Sequence, residues 1–229
     1  MTSIPVPGSS DIFVTLRRSS RARRLSLRVS RTDGKVSLSL PLRLPVREAE
    51  KFVAEKADWI RKHVSASPKA KPLVFGETIP FCGQKLTIEQ GSVKRVKVHR
   101  GRLICPPSQD MLGPRIAAFL KLNARQALTA ASGKYAKALG KPFNRITIRD
   151  TKSRWGSCSS AGNLNYSWRL MMAPEDVLDY VAAHEVAHLA LMDHSPAFWN
   201  VVEELMPDYR DKKNWLKVYG AELQSIRFD

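Results

Sequence analysis

The sequence predicts an α+β fold, with a basic, strand-rich N-terminal half followed by a helical core that holds a small sheet of antiparallel type. Three observations lead to this prediction. Short runs within residues 11–110 alternate apolar and polar side chains, as half-buried strands do. Residues 111–229 mostly carry apolar side chains at helical spacing. The charge is uneven, because residues 1–110 hold 22 Lys and Arg against 9 Asp and Glu, whereas residues 111–229 hold 16 against 12.

The composition excludes several classes of protein. The chain has 229 residues, of which 43% are hydrophobic and 26% charged, so it is neither disordered throughout nor a coiled-coil rod. No apolar run reaches the length of a membrane span, and the N-terminus lacks the apolar stretch of a secretory signal. The three cysteines, Cys82, Cys105 and Cys158, are too few and too scattered for a disulfide framework. We therefore expect a cytoplasmic protein without a membrane partner.

The N-terminal half is predicted to hold a flexible tail at 1–10 and a basic, β-rich region with one helix at 11–110. Apolar residues alternate with polar ones at 25–30 and 36–40, and Thr32-Asp33-Gly34 between them is a turn signal, so these runs predict a hairpin. The pattern is helical at 46–64, and residues 65–72 form a predicted linker. Further short strands are predicted within 73–105, with a hairpin turn at Arg100-Gly101.

The C-terminal half, residues 111–229, is predicted to be a second domain. Pro114 can occupy the first turn of a helix that reaches Leu139 and ends at Gly140. Alternating residues predict strands at 145–149 and 163–170. Further helices are expected after Pro174, after Ser195-Pro196 and over about 212–226.

Residues 184–188, His-Glu-Val-Ala-His, match the HExxH motif. On a helix, positions four residues apart lie on one face, so the imidazoles of His184 and His188 can bind one Zn²⁺. Glu185 can lie beside a water at that metal without being a ligand, which suits a general base. A glutamate on an otherwise apolar helix is also costly unless it has a function or a partner. The motif therefore predicts a catalytic zinc site with Glu185 as its base.

A catalytic zinc site needs a third protein ligand, for which His194 is the candidate. On a continuous helix this residue would lie about 240° away from His188, so the chain must leave the helix between 189 and 194. The spacing equals that of HExxHxxGxxH, but Leu191 stands where that pattern has Gly. The alternative ligands are Asp193, Glu203 and Glu204.

Three further stretches of sequence carry a family resemblance. They are SRWGSCSSAGNLNYSWRL at 153–170, DYVAAHEVAHL at 179–189 and DHSPAFW at 193–199. Together they resemble the YgjP-like zinc metallopeptidase family, which is related to SprT-like and gluzincin-type peptidases. The resemblance implies a zincin-like helix–sheet–helix domain at 111–229, zinc ligands at His184, His188 and His194, and a catalytic glutamate at Glu185.

The segment Arg154-Trp155-Gly156-Ser157 is a candidate for substrate binding. Zincin-like peptidases bind substrate as an added strand along a sheet edge above the metal, and Gly156 would permit a close approach. The alternative interpretation places Trp155 in the core and Gly156 in a bulge.

Seven arginines between positions 17 and 31 occur without an intervening acid, a density that can bind phosphate groups. They predict contact with nucleic acid or another anion through Arg17, Arg18, Arg21, Arg23 and Arg24. No helix-turn-helix, zinc-finger or RNA-binding aromatic signature accompanies them, so the alternative is a solvated basic face.

The function predicted from these residues is that of a zinc-dependent hydrolase, with a peptide or protein as its substrate. One alternative is a metal-dependent hydrolase of nucleoside triphosphates or other phosphoanhydrides, although the chain has no P-loop motif. Another is a basic nucleic-acid-binding module with a structural zinc. Structural zinc sites usually have four protein ligands and are often rich in cysteine, which disfavours this last alternative.

Overall fold

A computed structural model describes residues 2–30, 34–66, 72–151 and 153–228. The chain forms two compact units, residues 1–70 and 71–229, each with its own apolar core. The sequence predicts a boundary at 110/111. It lies earlier because the strands before residue 106 share the core of the later helices, as the clustering of Ile88 and Leu103 with Leu120 shows.

The N-terminal unit combines a four-stranded sheet with two helices. The strands are β1 (Ser3–Pro5), β2 (Phe13–Ser19), β3 (Ser26–Val29) and β4 (Val36–Pro41), in the order β1-β2-β4-β3. Strands β2 and β4 are parallel, and the other two pairs are antiparallel. The helices are α1 (Val46–Glu55) and α2 (Ala57–Ser65), and their residues Val53 and Ile60 share a buried cluster with Leu38 and Leu40.

This unit agrees with the predicted β3–β4 hairpin and differs from two other expectations. Strand β1 falls within the expected tail, because Ile4 and Val6 are both buried against the sheet. The expected single helix is interrupted at Lys56, whose backbone (φ −99°, ψ 8°) ends α1. Thr32 and Asp33 of the predicted turn, and residues 67–71 of the predicted linker, lie outside the described residues.

The C-terminal unit contains two small sheets. Strands β5 (Thr78–Phe81), β6 (Gln84–Gln90), β7 (Lys97–His99) and β8 (Arg102–Cys105) form one, in the order β5-β6-β8-β7. The expected turn at Arg100-Gly101 joins antiparallel β7 and β8, and both of its residues have positive φ. Strands β9 (Arg145–Arg149), β10 (Gly156–Cys158) and β11 (Asn163–Ser167) form the other, in the order β10-β11-β9.

Both sheets are mixed, which corrects the predicted antiparallel type. Strands β10 and β11 form an antiparallel hairpin, but β11 runs parallel to β9. The reason is that β10 begins at the end of the sheet where β9 finishes and runs back along the far side of β11, so the chain has reversed twice when it enters β11. The protein is therefore an α+β protein with mixed sheets.

Four helices complete the unit: α3 (Leu112–Leu139), α4 (Glu175–Ala187), α5 (Pro196–Leu205) and α6 (Tyr209–Ser225). Helix α3 ends at Gly140 in the left-handed conformation (φ 68°), as the sequence predicts. A 3₁₀ helix at Trp168–Met172 links β11 to α4. No helix within the described ranges is both long and apolar enough to cross a bilayer.

The side chain of Arg169 joins the 3₁₀ helix to the end of α6. Its Nε donates to Asp150 Oδ1 at 2.7 Å, and its guanidinium also donates to the carbonyl oxygens of Leu223 (3.0 Å) and Ile226 (2.9 Å). Carbonyls at a helix C-terminus lack intrahelical donors, so this buried arginine satisfies groups that the helix leaves open. It therefore fixes the C-terminal end of α6.

Arg169→Ala should lower the free energy of unfolding by about 3 kcal/mol, because it leaves buried carbonyls and Asp150 without their donor. Urea unfolding monitored by tryptophan fluorescence measures this change. Arg210→Ala is the matched control, since Arg210 forms an exposed ion pair with Glu203 and its loss should leave the midpoint almost unchanged. Equal midpoints for the two variants would contradict the assigned function of Arg169.

Candidate metal centre

His184 and His188 lie one turn apart at the C-terminal end of α4, a helix whose buried side is mostly apolar. Most of its residues are buried, among them Val177, Val181 and Val186. The helix follows Pro174 and ends at Ala187, so His188 occupies its C-cap position. The two imidazole rings lie 5.0 Å apart, centroid to centroid. This is the face-sharing arrangement that the HExxH spacing predicts.

A short turn after α4 brings back His194. The His188 Nδ1–H donates to the carbonyl oxygen of Leu191 at 3.0 Å, which fixes the inside of the turn. Asp193 Oδ1 accepts from the Ser195 backbone N–H at 3.0 Å, and Ser195 Oγ then caps α5 by accepting from the Phe198 N–H. The chain leaves the helix before residue 189, and the His194 ring lies 5.1 Å from that of His184.

The ring nitrogens of the three histidines converge in a geometry that fits a metal ion. One nitrogen from each lies within 4.8 Å of the other two, and the Nε2 atoms of His184 and His194 are 3.2 Å apart. Two ligands of a tetrahedral zinc site, each about 2.05 Å from the metal, would be about 3.3 Å apart. Within the described parts of the chain, this is the group of three or more potential ligands that could hold an ion.

The electrostatics keep the two helix histidines neutral, as metal ligands must be. Burial, together with smaller effects of the neighbouring His188, His194 and Lys213, lowers the pKa of His184 to about 3. Burial also lowers the pKa of His188. Because the His188 Nδ1 donates to Leu191, its Nε2 is the nitrogen with a lone pair directed away from the turn.

The side chain of Phe198 packs against all three imidazoles. It is fully buried, stacks on His188 at 4.4 Å between centroids, and meets His184 and His194 at 5.0 Å each. The ring of Trp199 lies 5.5 Å from that of His184, centroid to centroid, and it also stacks on Tyr209 at 5.4 Å. These aromatic contacts orient the histidine rings from one side.

Glu185 lies beside the histidines with its carboxylate beneath strand β10. The residue is 5% exposed, and burial raises the pKa of its carboxyl to about 8. Arg154 and a hydrogen bond from the Cys158 backbone N–H act in the opposite direction by favouring the charged form. A buried carboxyl with a raised pKa, next to three convergent imidazoles, is suited to accept and release a proton.

Gly156 is the residue of β10 that allows this arrangement. A Cβ atom at this position would lie 2.5 Å from Glu185 Oε1 and 2.7 Å from Cδ. Any larger residue would displace either the strand or the carboxylate. The predicted close approach at Gly156 is thus to Glu185.

The structure brings the predicted substrate segment next to the site. Strand β10 is an edge strand that pairs with β11 on one side, through Gly156–Tyr166, Ser157–Asn165 and Cys158–Leu164. Arg154, Trp155 and Gly156 line a cavity of about 370 Å³ together with His184 and Glu185. Ser157 lines a second cavity of about 320 Å³. Trp155 is half-buried and also contacts α6, where a Cβ at Gly220 would be 3.0 Å from its ring.

The alternative ligands do not join the histidine group. Glu203 forms an ion pair with Arg210 at 2.8 Å, and Asp193 caps the turn before α5. Neither these residues nor Glu204 belongs to the group of convergent ligand atoms. Lys213 and Lys217, which also line the 370 Å³ cavity, were missed by sequence reasoning. Their spacing of four residues on one helix was the available signal.

The N-terminal arginines lie in the other unit and differ from one another. Arg18 donates from its guanidinium to the carbonyl oxygens of Pro41, Leu42 and Leu44, so it holds the loop after β4. The remaining members of the predicted set are exposed: Arg17, Arg21, Arg23 and Arg24.

Three convergent histidines beside a buried glutamate and an edge strand define the class of a metal-dependent hydrolase. Residues 23–219 match the family model described as YgjP-like, metallopeptidase domain, so the chain belongs to the YgjP-like metallopeptidase family. One solved structure, the metallopeptidase zymogen abylysin of Pyrococcus abyssi, is similar at 24% identity over 41% of this chain and 92% of that one, with a TM-score of 0.36. No curated protein matches the chain in sequence.

Gly156→Ala should lower the free energy of unfolding by about 1–3 kcal/mol, because the added methyl group collides with the Glu185 carboxylate. Urea unfolding of the purified variant measures the change. Gly133→Ala is the matched control: nothing lies within 4 Å of its Cβ position on α3, so a gain of about 0.5–1 kcal/mol is expected. A neutral or stabilising effect at 156 would contradict the close contact.

Proposed function

We propose that this protein is a zinc-dependent peptidase in which His184, His188 and His194 hold the metal and Glu185 is the general base. The observation that carries the proposal is the convergence of three imidazole nitrogens beside a buried carboxylate. Three imidazoles with room for a further ligand suit zinc, and the exposed side of His194 leaves the site open to solvent.

The residues of the chain divide the chemistry between them. When bound, zinc would supply Lewis acidity toward water and toward the scissile carbonyl. The Glu185 carboxylate accepts the proton of the attacking water and delivers it to the nitrogen of the leaving amine. The Cys158 N–H holds that carboxylate in place, and Phe198 holds the imidazoles.

Substrate binding is assigned to the segment Arg154–Ser157. An extended peptide can add to the unpaired side of β10, so that main-chain hydrogen bonds position it above Glu185. Gly156 allows this edge to lie close to the Glu185 carboxylate, and Trp155 lines the adjoining cavity. The phosphoanhydride alternative is not favoured, because an edge strand beside the site suits a peptide.

Contact with nucleic acid is proposed as a second function, located on the N-terminal sheet. The face opposite the Leu38 core carries Arg17 of β2 and Arg28 of β3, and the pairing register places Ser39 and Ser37 of β4 beside them. Arginines and hydroxyls without an acid can bind phosphate groups. The rest of the predicted set contributes further exposed charge through Arg21, Arg23 and Arg24.

The domain assignment follows from these proposals. The C-terminal unit, residues 71–229, holds the whole hydrolytic site, and the N-terminal unit, residues 1–70, holds the candidate anion-binding face. The three free cysteines support a reducing compartment such as the cytoplasm.

Glu185→Gln should retain about one zinc per chain yet lose at least about a hundredfold in peptide hydrolysis, because the amide cannot accept a proton. His194→Ala should lose zinc as well as activity. Elemental analysis, together with hydrolysis of a quenched-fluorescent peptide library, measures both. Wild type stripped by a chelator and then reloaded with zinc is the control and should recover. Full activity of the Glu185 variant would refute the general-base assignment.

Replacing Arg17, Arg21, Arg23 and Arg24 with Gln should weaken binding of a single-stranded DNA oligonucleotide and flatten its dependence on salt, by about 0.7 in the log–log slope for each lost phosphate contact. Fluorescence anisotropy at several salt concentrations measures the slope. The control variant removes the same charge from exposed cations of the C-terminal unit, namely Lys94, Arg95, Lys97 and Arg100. Equal slopes for both variants would exclude the sheet as the binding face.

A further inference from the structure

The 370 Å³ cavity next to the histidines is lined by more basic than acidic side chains. Its floor is α4, with Tyr180, Val181, His184 and Glu185. One wall is the segment before and at the start of β10, which contributes Arg154. The other wall is α6, which contributes Lys213, Leu216 and Lys217. Its volume falls within the range of ligand-binding pockets, about 300–1,000 Å³.

Three cations therefore line this cavity, against one acid, Glu185, whose side chain is buried at the floor. The second cavity, on the other side of Arg154, is lined by that residue and Arg149 and has no acid among its lining residues. The positive charge is thus continuous along β10, although residues 111–229 as a whole are close to balanced in charge.

Two acids near the start of α6 are paired with a lysine that does not line the cavity. Lys212 pairs with Asp176 and Asp208 at 3.0 Å each, so one lysine of the helix is neutralised away from the cavity. Lys213, the next residue, makes no ion pair within the described parts of the chain. Its Nζ instead lies 3.8 Å from the centroid of the Trp199 ring. This contact holds the ammonium group at the α6 side of the cavity that His184 also lines.

We propose that this cavity binds a carboxylate of the substrate beside the scissile bond, with Lys213 and Arg154 as its partners. The proposal deepens the peptidase function proposed above and rests on it. A carboxylate placed here gains charge-assisted hydrogen bonds, while an ammonium group meets the like charges of both partners. The carboxylate can belong to an Asp or Glu side chain or to the C-terminus of a peptide, since both offer the same two oxygens.

Binding to the zinc-loaded Glu185→Gln variant tests this without hydrolysis. The probes are end-blocked fluorescent peptides that differ at one position, Glu, Gln or Lys, and an unblocked peptide with a free C-terminus. Fluorescence anisotropy should show about tenfold tighter binding of the Glu peptide than of the Gln peptide. Stronger binding of the unblocked peptide than of its amidated form would identify the terminal carboxylate as the source.

A second substitution in the same background, Lys213→Glu, should abolish the preference for Glu and favour the Lys peptide. Lys213→Met removes the charge but keeps an apolar stem against Trp199, so it should reduce the preference for Glu over Gln to the part that Arg154 supplies. The control is Lys141→Glu, an exposed lysine beyond α3 with the same change in charge, which should leave the preference intact.

The outcomes separate the carboxylate site from the peptidase function. Equal binding of Glu, Gln and Lys peptides, or a preference that Lys213→Glu does not alter, overturns the carboxylate site. Cleavage of library peptides by the wild type without charge preference overturns it as well, while leaving the peptidase function in place. A Lys213-dependent preference for the carboxylate, without cleavage of any peptide, supports the binding site and overturns the peptidase function.

Discussion

The burial of α4 on almost every side is the constraint on which the site depends. Small residues such as Ala182, Ala183 and Ala187 are fully buried, and Ala124 and Leu128 of α3 belong to the same core. A helix enclosed in this way has little freedom to rotate or shift, because a packed interior leaves no space for it. The Glu185 carboxyl is therefore held in one position under β10, where the absence of a side chain at Gly156 leaves space for it. Burial of that carboxyl and of His184 disfavours their charged forms, which costs free energy of folding. It also shifts the pKa values of both groups in the directions that suit a proton acceptor and a metal ligand.

The parts of the site that could be predicted from sequence are those determined within a few residues. The spacing of His184 and His188 depends on helical geometry alone. The position of His194 follows from a helix that must end and another that begins at Ser195, whose side chain does cap α5. Turns and helix ends were predicted for the same reason, as the left-handed Gly140 illustrates. Local stereochemistry leaves few alternatives in such places.

The parts that sequence reasoning missed all depend on contacts between distant segments. The glycine at 156 indicated a close approach, but no sequence pattern identifies Glu185 as the group approached. Lys213 reaches the cavity because α6 packs beside Trp155, 58 positions earlier in the chain. The domain boundary was misplaced because the early strands have the alternation of a separate sheet domain, yet their buried faces belong to the core of the later helices. Periodicity reports which face is buried and not what buries it.

The two walls of the cavity are held at three points along α6. An ion pair between Lys212 and Asp176 joins the start of α6 to α4. Gly220 packs against Trp155, and Arg169 donates a hydrogen bond to the Leu223 carbonyl near the end of the helix. A cavity of about 370 Å³ has room for a few side chains of an extended segment and not for a folded domain. Under the proposed peptidase function, the rate at which a target protein is cleaved would then depend on how often it exposes a locally unfolded segment. The conformational stability of a target would then limit cleavage before its sequence does. A stably folded protein with the same residues at its surface would not be cleaved.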